Sequence, residues 1–238
     1  MIRTVVFFTA FVFSLVITGV LLAGWYILGW LGLSTAQGIY GYYVSSYWAK
    51  FLLLAAGVRV TVQGAENIPG DTAVLFVSNH QGNFDIPVLL SSLDKPKGFL
   101  AKIELTKIPV IRSWMPKLGC VFIDRANLRQ SIKAIQGCVE VLNNGQSMVI
   151  FPEGTRSKGP QIGEFKKGSL RLVEKVNVPI VPVTVNGTYK AMESNGNRVM
   201  STDVTVIISP PIYFRRLSKD EQDNINAIVR DAIISQLA

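Results

Sequence analysis

The sequence predicts an α/β protein: a mixed, largely parallel sheet of about seven strands flanked by helices, preceded by an N-terminal hydrophobic helical membrane anchor. Three observations predict it. Short apolar runs rich in β-branched residues recur from residue 58 to residue 209, helical repeats lie between several of them, and a long uncharged stretch stands ahead of the first. Strands alternating with helices imply a sheet covered on both faces. At 238 residues the chain is long enough for a sizeable core, and its composition, 49% hydrophobic, is high for a soluble protein.

The apolar excess is concentrated at the start. Arg3 and Lys50 bracket a run, Thr4 to Ala49, that holds no charged residue. Thr4 to Leu33 could form a helix of roughly 45 Å, longer than a bilayer core of roughly 30 Å. Gly19, Gly24, Gly29 and Gly32 offer places to bend it. Gly38 to Gly57 is a second apolar stretch, and its Tyr40, Tyr42, Tyr43, Tyr47 and Trp48 suit a membrane interface. The run is longer than the apolar region of a secretory signal, and no A-x-A pattern closes it, so a retained anchor is expected. The expected organisation is residues 1–57 as anchoring helices and residues 58–238 as an α/β domain.

The expected strands are Val58–Val62, Ala73–Ser78, Gly98–Ala101, Cys120–Ile123, Ser147–Phe151, Ile180–Val185 and Val204–Ser209. Leu128–Leu142 carries Ile132, Ile135, Val139 and Leu142 at helical spacing. Glu164–Val176 and Ser218–Leu237 also read as helices, the second opened by a capping-box pair, Ser218 and Glu221. Three polar clusters directly follow apolar strands: Asn79-His80, Asp124-Arg125, and Pro152 to Arg156. Parallel strands would deliver all three to one edge, where ligands of α/β sheets gather.

The net charge is +8; removing Arg3 and Lys50, the charges of residues 1–57, leaves +6 on residues 58–238. A basic domain beside an apolar anchor favours anionic headgroups and phosphorylated substrates. Nucleic-acid binding lacks any recognisable motif or basic–aromatic platform. Cys120 and Cys138 are the only cysteines, with no C-x-x-C, and read as cytoplasmic thiols rather than a disulfide framework or zinc site.

His80 is the one histidine in the chain, within Asn79-His80-Gln81-Gly82-Asn83-Phe84-Asp85. Imidazole is suited to taking a proton near neutrality, and a carboxylate can fix its tautomer. Five residues apart on a straight helix, His80 and Asp85 would face different ways, so they meet only across a turn, for which Gly82-Asn83 is suited. Asp85 could also cap the helix that Pro87 begins. No G-x-S-x-G elbow is present, so a serine hydrolase is poorly supported. A His–Asp pair without a nucleophile suggests that the substrate supplies its own hydroxyl. Gly154, Thr155 and Arg156 suit a phosphate. Glu153 would repel one, and is expected to position Arg156 or to accept from a polar headgroup. Arg125, with Asp124 as its expected partner, and Lys102 are further phosphate candidates. Lys158, Lys166 and Lys167 read as a basic face near lipid headgroups.

Together these residues resemble the 1-acyl-glycerol-3-phosphate acyltransferase family. Asn79 to Asp85 matches its H-x-x-x-x-D block, Gly119 to Arg125 its second, Phe151 to Ser157 its E-G-T-R-S block, and Val178-Pro179-Ile180-Val181-Pro182-Val183 its proline-containing strand. The match runs in order over roughly residues 60–190. The resemblance implies transfer of a fatty acyl group from a thioester of coenzyme A or acyl carrier protein to the 2-hydroxyl of lysophosphatidic acid, giving phosphatidic acid. It implies His80 as base, Asp85 as its orienting partner, and Arg125, Glu153, Gly154, Thr155 and Arg156 as holders of the glycerol phosphate, with Lys102 helping. It implies no metal and no redox cofactor, only the thioester co-substrate. The expected place is the cytoplasmic membrane with the catalytic domain on its cytoplasmic face. Backbone amides beside the His80 turn are the expected oxyanion donors. Another lysophospholipid or glycerol 3-phosphate as acceptor, and a non-catalytic phospholipid-binding protein, are the competing readings.

Overall fold

A computed structural model describes residues 1–237 and has the expected fold class. Two long helices, α1 (Ile2–Trp30) and α2 (Ser34–Ala56), form an antiparallel hairpin. The cross-helix bonds are Gln37 Nε2 to the Trp25 carbonyl at 2.9 Å, Tyr40 Oη to the Leu21 carbonyl at 2.8 Å, and Trp48 Nε1 to Ser14 Oγ at 3.0 Å. In so apolar an environment these polar pairs fix the register that undirected apolar packing leaves free. α2 ends at Gly57, whose φ of +72° is the left-handed turn that lets the chain leave the helix directly into a strand.

Seven strands follow: β1 (Val58–Gln63), β2 (Leu75–Ser78), β3 (Lys97–Lys102), β4 (Val121–Ile123), β5 (Ser147–Ile150), β6 (Ile180–Asn186) and β7 (Thr202–Ile208). They form one sheet in the order β1-β7-β6-β2-β5-β3-β4. β2 to β6 run parallel to one another, β7 is antiparallel to β6, and β1 is parallel to β7. The carboxyl ends of five strands therefore share one edge, the condition under which the polar clusters can meet. Pro182 is tolerated inside a central strand because the β6–β7 ladder begins one residue later, at Val183↔Ile208.

The two-residue period of the strands sorts the core into two layers. Phe76, Val149, Val181 and Val183 face α2, α3 (Asp85–Ser92) and the start of α1, in one buried cluster with Phe7, Leu52, Phe84 and Leu89. Leu75, Val77, Met148, Ile150 and Ile180 face the other way, onto α5 (Leu128–Asn143) and α7 (Ile225–Ile234). The hairpin is thus continuous with the core of the sheet domain. Between β3 and β4 the chain forms α4 (Pro109–Trp114), flanked by 3-10 turns Ile103–Lys107 and Met115–Leu118, and this segment lies alongside α1.

Three helical expectations change. Glu164–Val176 is not a helix: only the 3-10 turn Arg171–Lys175 forms, because Gly168 takes a φ of +81° and breaks any continuous right-handed run. Its apolar residues Leu170, Leu172, Val173 and Val176 are buried all the same, so what was read as a periodic face is a loop pinned on the core. Ser218–Leu237 is two helices, α6 (Lys219–Asp223) and α7, divided at Asn224; the capping box at Ser218 and Glu221 forms as expected. In α5 the inward stripe is Ala134, Cys138, Val139 and Leu142, whereas Ile132 is 62% exposed. It lies about 90° from the centre of that stripe.

Candidate active site

The geometry begins with how the chain leaves β2. Asn79 is buried and extends the strand by other means: its Nδ2 donates to the Val185 carbonyl and its Oδ1 accepts from the Val185 amide, both at 2.8 Å. That pair locks the strand exit to β6. The next residue, His80, turns its ring flat against Phe151, with centroids 4.1 Å apart and planes at 19°. The turn at Gly82-Asn83 then brings Asp85, the first residue of α3, back beneath the imidazole. His80 Nδ1 is 2.6 Å from Asp85 Oδ2, with the His80 side chain 15% exposed and that of Asp85 0%.

Asp85 is fully occupied. Oδ2 also accepts the Gly82 amide at 2.9 Å, and Oδ1 accepts the Thr188 hydroxyl. It does not cap α3, whose N-cap position is Phe84. A carboxylate that can only accept assigns the proton to Nδ1, which leaves the Nε2 lone pair on a residue that lines the cavity. The arrangement can accept a proton at Nε2 while the buried charge stabilises the imidazolium.

Two more carboxylates hold this turn. Glu153, at the end of β5, accepts the His80 amide through Oε1 at 2.6 Å and the Gly163 amide through Oε2 at 2.8 Å. Burial pushes its carboxyl above the ordinary range, opposed by those two amides. Glu193 Oε1 accepts the Asn83 amide at 2.7 Å. These bonds correct two expectations. Glu153 does not position Arg156; it ties the base of the His80 turn to the loop after β5. The amides of His80, Gly82 and Asn83 are each already donated to a carboxylate, so they are not free to act as oxyanion donors.

The cationic side gathers at the same edge. Arg125, after β4, is half-buried and donates through Nη1 to the Gly154 carbonyl. Burial lowers its pKa, opposed by Glu104. Asp124, its expected partner, instead accepts the Ala126 amide at 3.0 Å. Arg156 Nη1 donates to Asn83 Oδ1 and lies 3.7 Å from Glu193 Oε1. Lys102, exposed, stands 3.9 Å from Glu104. Gly154 has a φ of +69°, and a Cβ there would meet Lys166 Cε at 2.7 Å. The left-handed turn favours glycine, and a larger residue would also push the flexible end of Lys166 aside. Lys166, read from sequence as part of a basic face near lipid headgroups, lies over the Gly154 turn.

Lys102, Arg125, Thr155, Arg156 and His80 line one end of a cavity of about 410 Å³. The rest of its lining is mostly apolar, with Leu15 of α1, Val44 and Trp48 of α2, Val110, Ile111 and Trp114 of α4, and Phe99 and Leu100 of β3, interrupted by Thr18, Ser45, Asn83 and Glu104. The cavity can thus take a molecule with an anionic head and a long apolar tail, presenting the junction of the two to His80. Thr188 and Glu193 were absent from the expected site. Both follow the carboxyl end of β6, and the rule that ligands gather at strand ends, applied to the strand that carries the Val178–Val183 block, points to Gly187-Thr188.

An imidazole–carboxylate pair and two guanidinium groups share the wall of one largely apolar cavity at a parallel sheet edge. The chain belongs to the Acyltransferase family, whose model matches residues 59–186. The similar proteins sharpen this. The 1-acyl-sn-glycerol-3-phosphate acyltransferase of Borreliella burgdorferi is 32% identical over 188 residues, covering 79% of this chain and 75% of that protein. The chloroplastic 1-acyl-sn-glycerol-3-phosphate acyltransferase BAT2 of Brassica napus is 38% identical over 174 residues, covering 72% of this chain and 50% of that protein. The crystal structure of the 1-acyl-sn-glycerophosphate acyltransferase PlsC of Thermotoga maritima superposes with a TM-score of 0.87 at 28% identity, covering 99% of this chain and 93% of that one. The chain spans about half the length of the chloroplastic relatives it matches.

Proposed function

We propose that this chain is a 1-acylglycerol-3-phosphate O-acyltransferase of phospholipid biosynthesis. It takes a fatty acyl group from a thioester of coenzyme A or acyl carrier protein and places it on the sn-2 hydroxyl of 1-acyl-glycerol-3-phosphate, giving phosphatidic acid. The observation that carries the reading is His80 held by Asp85 at 2.6 Å at the mouth of an apolar cavity rimmed by Arg125 and Arg156. The names of the similar proteins support the same acceptor.

His80 Nε2 removes the proton of the lipid hydroxyl as its oxygen attacks the thioester carbonyl. The carbon–oxygen ester bond forms, the carbon–sulfur bond breaks, and the imidazolium returns the proton to the departing thiolate. General-base help of this kind contributes roughly 10²–10⁴-fold. Arg156, Arg125, Thr155 and Lys102 hold the acceptor's phosphate, with Gly154 shaping the turn that presents them. Glu153 keeps the His80 backbone in place. The reaction balances with the thioester as sole co-substrate.

The hairpin brings this chemistry to lipid. α1 has the length and composition of a membrane-crossing helix, yet it lies along the sheet domain rather than projecting from it. The reading is insertion into the cytoplasmic leaflet of the cell membrane, the side consistent with a basic domain.

The purified full chain in mixed micelles, given 1-oleoyl lysophosphatidic acid and either thioester, is expected to form phosphatidic acid. His80→Ala is expected to cut turnover by about 10² or more while the protein stays folded. Substantial turnover by that variant would sink the base assignment, and faster acylation of another lysolipid would reassign the acceptor.

A further inference from the structure

Glu193 is a buried carboxylate for which the reaction above has no use. It sits on the 3-10 turn Glu193–Asn195, and its side chain is 3% exposed. Oε1 holds the Asn83 amide at 2.7 Å and stands 3.7 Å from Arg156 Nη1, while Oε2 is buried without a hydrogen-bond partner. Room for it is made by Gly82: a Cβ there would come within 2.8 Å of the Glu193 Cδ. Burying an ionised carboxylate is costly unless a cation lies close, and among the described residues Arg156 is the one cation within ion-pair distance. Arg156 is tied at the same nitrogen to Asn83 Oδ1, whose own backbone amide is the one Glu193 holds. Glu193, Asn83 and Arg156 are therefore one unit. It fixes the Nη1 corner of the guanidinium, and the other donors of this cavity-lining residue have no hydrogen-bond partner among the described residues. Bidentate capture of a phosphate depends on the guanidinium plane being held in this way.

We propose that Glu193 is a positioning residue that orients Arg156 toward the acceptor's phosphate and so sets the preference for a phosphorylated acceptor. The inference rests on the reading of Arg156 as a phosphate ligand. Glu193 has two jobs, which two substitutions separate. Glu193→Gln keeps an acceptor for the Asn83 amide and removes the charge that pairs with Arg156. Glu193→Ala removes both.

The test measures kcat and both KM values for the full chain with lysophosphatidic acid and acyl-coenzyme A. For E193Q the KM for lysophosphatidic acid is expected to rise about threefold to tenfold, with kcat and the thioester KM within about twofold. For E193A kcat is expected to fall as well, by about tenfold, as the Asn83 turn loosens. On an Arg156→Ala background, E193Q is expected to change the lysophosphatidic acid KM no further, since residues in one network are not additive. An unchanged or lowered KM in E193Q, equal rises for both substrates, or a full E193Q effect on the R156A background would each overturn the inference while leaving the proposed function standing. Absence of wild-type turnover of lysophosphatidic acid overturns both.

Discussion

Asp85 shows how much of a site's geometry can be fixed by hydrogen-bond saturation at one residue. Its two oxygens accept from the His80 ring, the Gly82 amide and the Thr188 hydroxyl, and none of its surface reaches solvent. Thr188 is the outermost member of that set and is itself fully buried. Replacing it with valine keeps the shape and removes the one donor to Oδ1 among the described residues. A buried acceptor left unpaired costs about 1–3 kcal/mol. The carboxylate then keeps only its Oδ2 bonds to the His80 ring and the Gly82 amide, and the imidazole is held less firmly. Thr188→Val is expected to lower kcat by about tenfold with both KM values near wild type, and to lower the melting temperature. Thr188→Ser, which restores the hydroxyl, is expected to recover kcat. Failure of serine to do better than valine would mean that the methyl packing, and not the bond to Asp85, carries the effect.

At the scale of elements, α3 is short and must hold Asp85 steady at one end, so what secures its other end matters. Lys97, at the start of β3, reaches under it: its Nζ donates to the carbonyls of Leu90 at 3.2 Å, Leu93 at 2.7 Å and Lys95 at 3.1 Å. A buried ammonium on these carbonyls closes the helix C-terminus and complements its dipole. The same Nζ lies 5.5 Å from the centre of the Tyr42 ring, linking α2 to the cap. Burial pulls the Lys97 pKa down to about 7, with Asp94 opposing. In the unfolded chain lysine titrates near 10.4, so between these values the unfolded state binds more protons and stability rises with pH. The stability of the wild type relative to Lys97→Met is therefore expected to increase from pH 7 to pH 10, by at most about 1.4 kcal/mol per pH unit. Denaturant unfolding at both ends of that range checks it; a gap that narrows with pH contradicts the assignment. Elements of this kind also mark where the sequence was legible. The central strands β2, β5 and β6 announced themselves as apolar runs, because strands buried on both faces carry few polar side chains. By contrast, β1 and β7 were legible through alternation, with Arg59 and Asp203 on exposed positions. His80 and Asp85 were legible because the turn joining them is contiguous in the chain. Glu193 was not, since it lies in a polar stretch that reads as solvent-facing while its partner Asn83 is 110 residues away. Residues 164–176 misled for the opposite reason: their apolar side chains are buried, but by a loop whose backbone Gly168 turns aside.

At the scale of the whole molecule, the question is how a sheet domain with a basic edge meets lipid, and the course of α1 constrains the answer. Phe7 packs on Phe84 with ring centroids 5.3 Å apart, the Thr18 carbonyl accepts Trp114 Nε1 at 2.9 Å, and Lys117 Nζ lies 4.6 Å from the Trp25 ring centre and 4.8 Å from that of Tyr26. From Phe7 to Trp25 the helix therefore keeps company with the domain for about 27 Å. The opposite face, through Val5, Val12, Val16, Val20 and Ile27, is exposed and apolar, as are Tyr43, Tyr47 and Leu54 of α2. If the hairpin crossed the bilayer upright, Lys107, Arg112 and Lys117 on the segment beside it would be drawn into hydrocarbon, at a cost of about 2.5–3.5 kcal/mol or more per charge. In the proposed one-leaflet placement the hairpin would bury its apolar face, leave those cations at headgroup level, and turn the cavity walls formed by Leu15, Val44 and Trp48 toward the acyl chains. The turn between α1 and α2 then stays on the same side of the membrane as the sheet domain. A single cysteine introduced as Ser34→Cys, with Cys120 and Cys138 replaced by serine and alanine, reports on this directly. In sealed vesicles of known sidedness, a membrane-impermeant maleimide is expected to label it from the side that also labels an exposed domain control, Glu164→Cys. Labelling of the two positions from opposite sides would establish instead that the hairpin traverses the bilayer, and the cavity would then have to fill from within the membrane core.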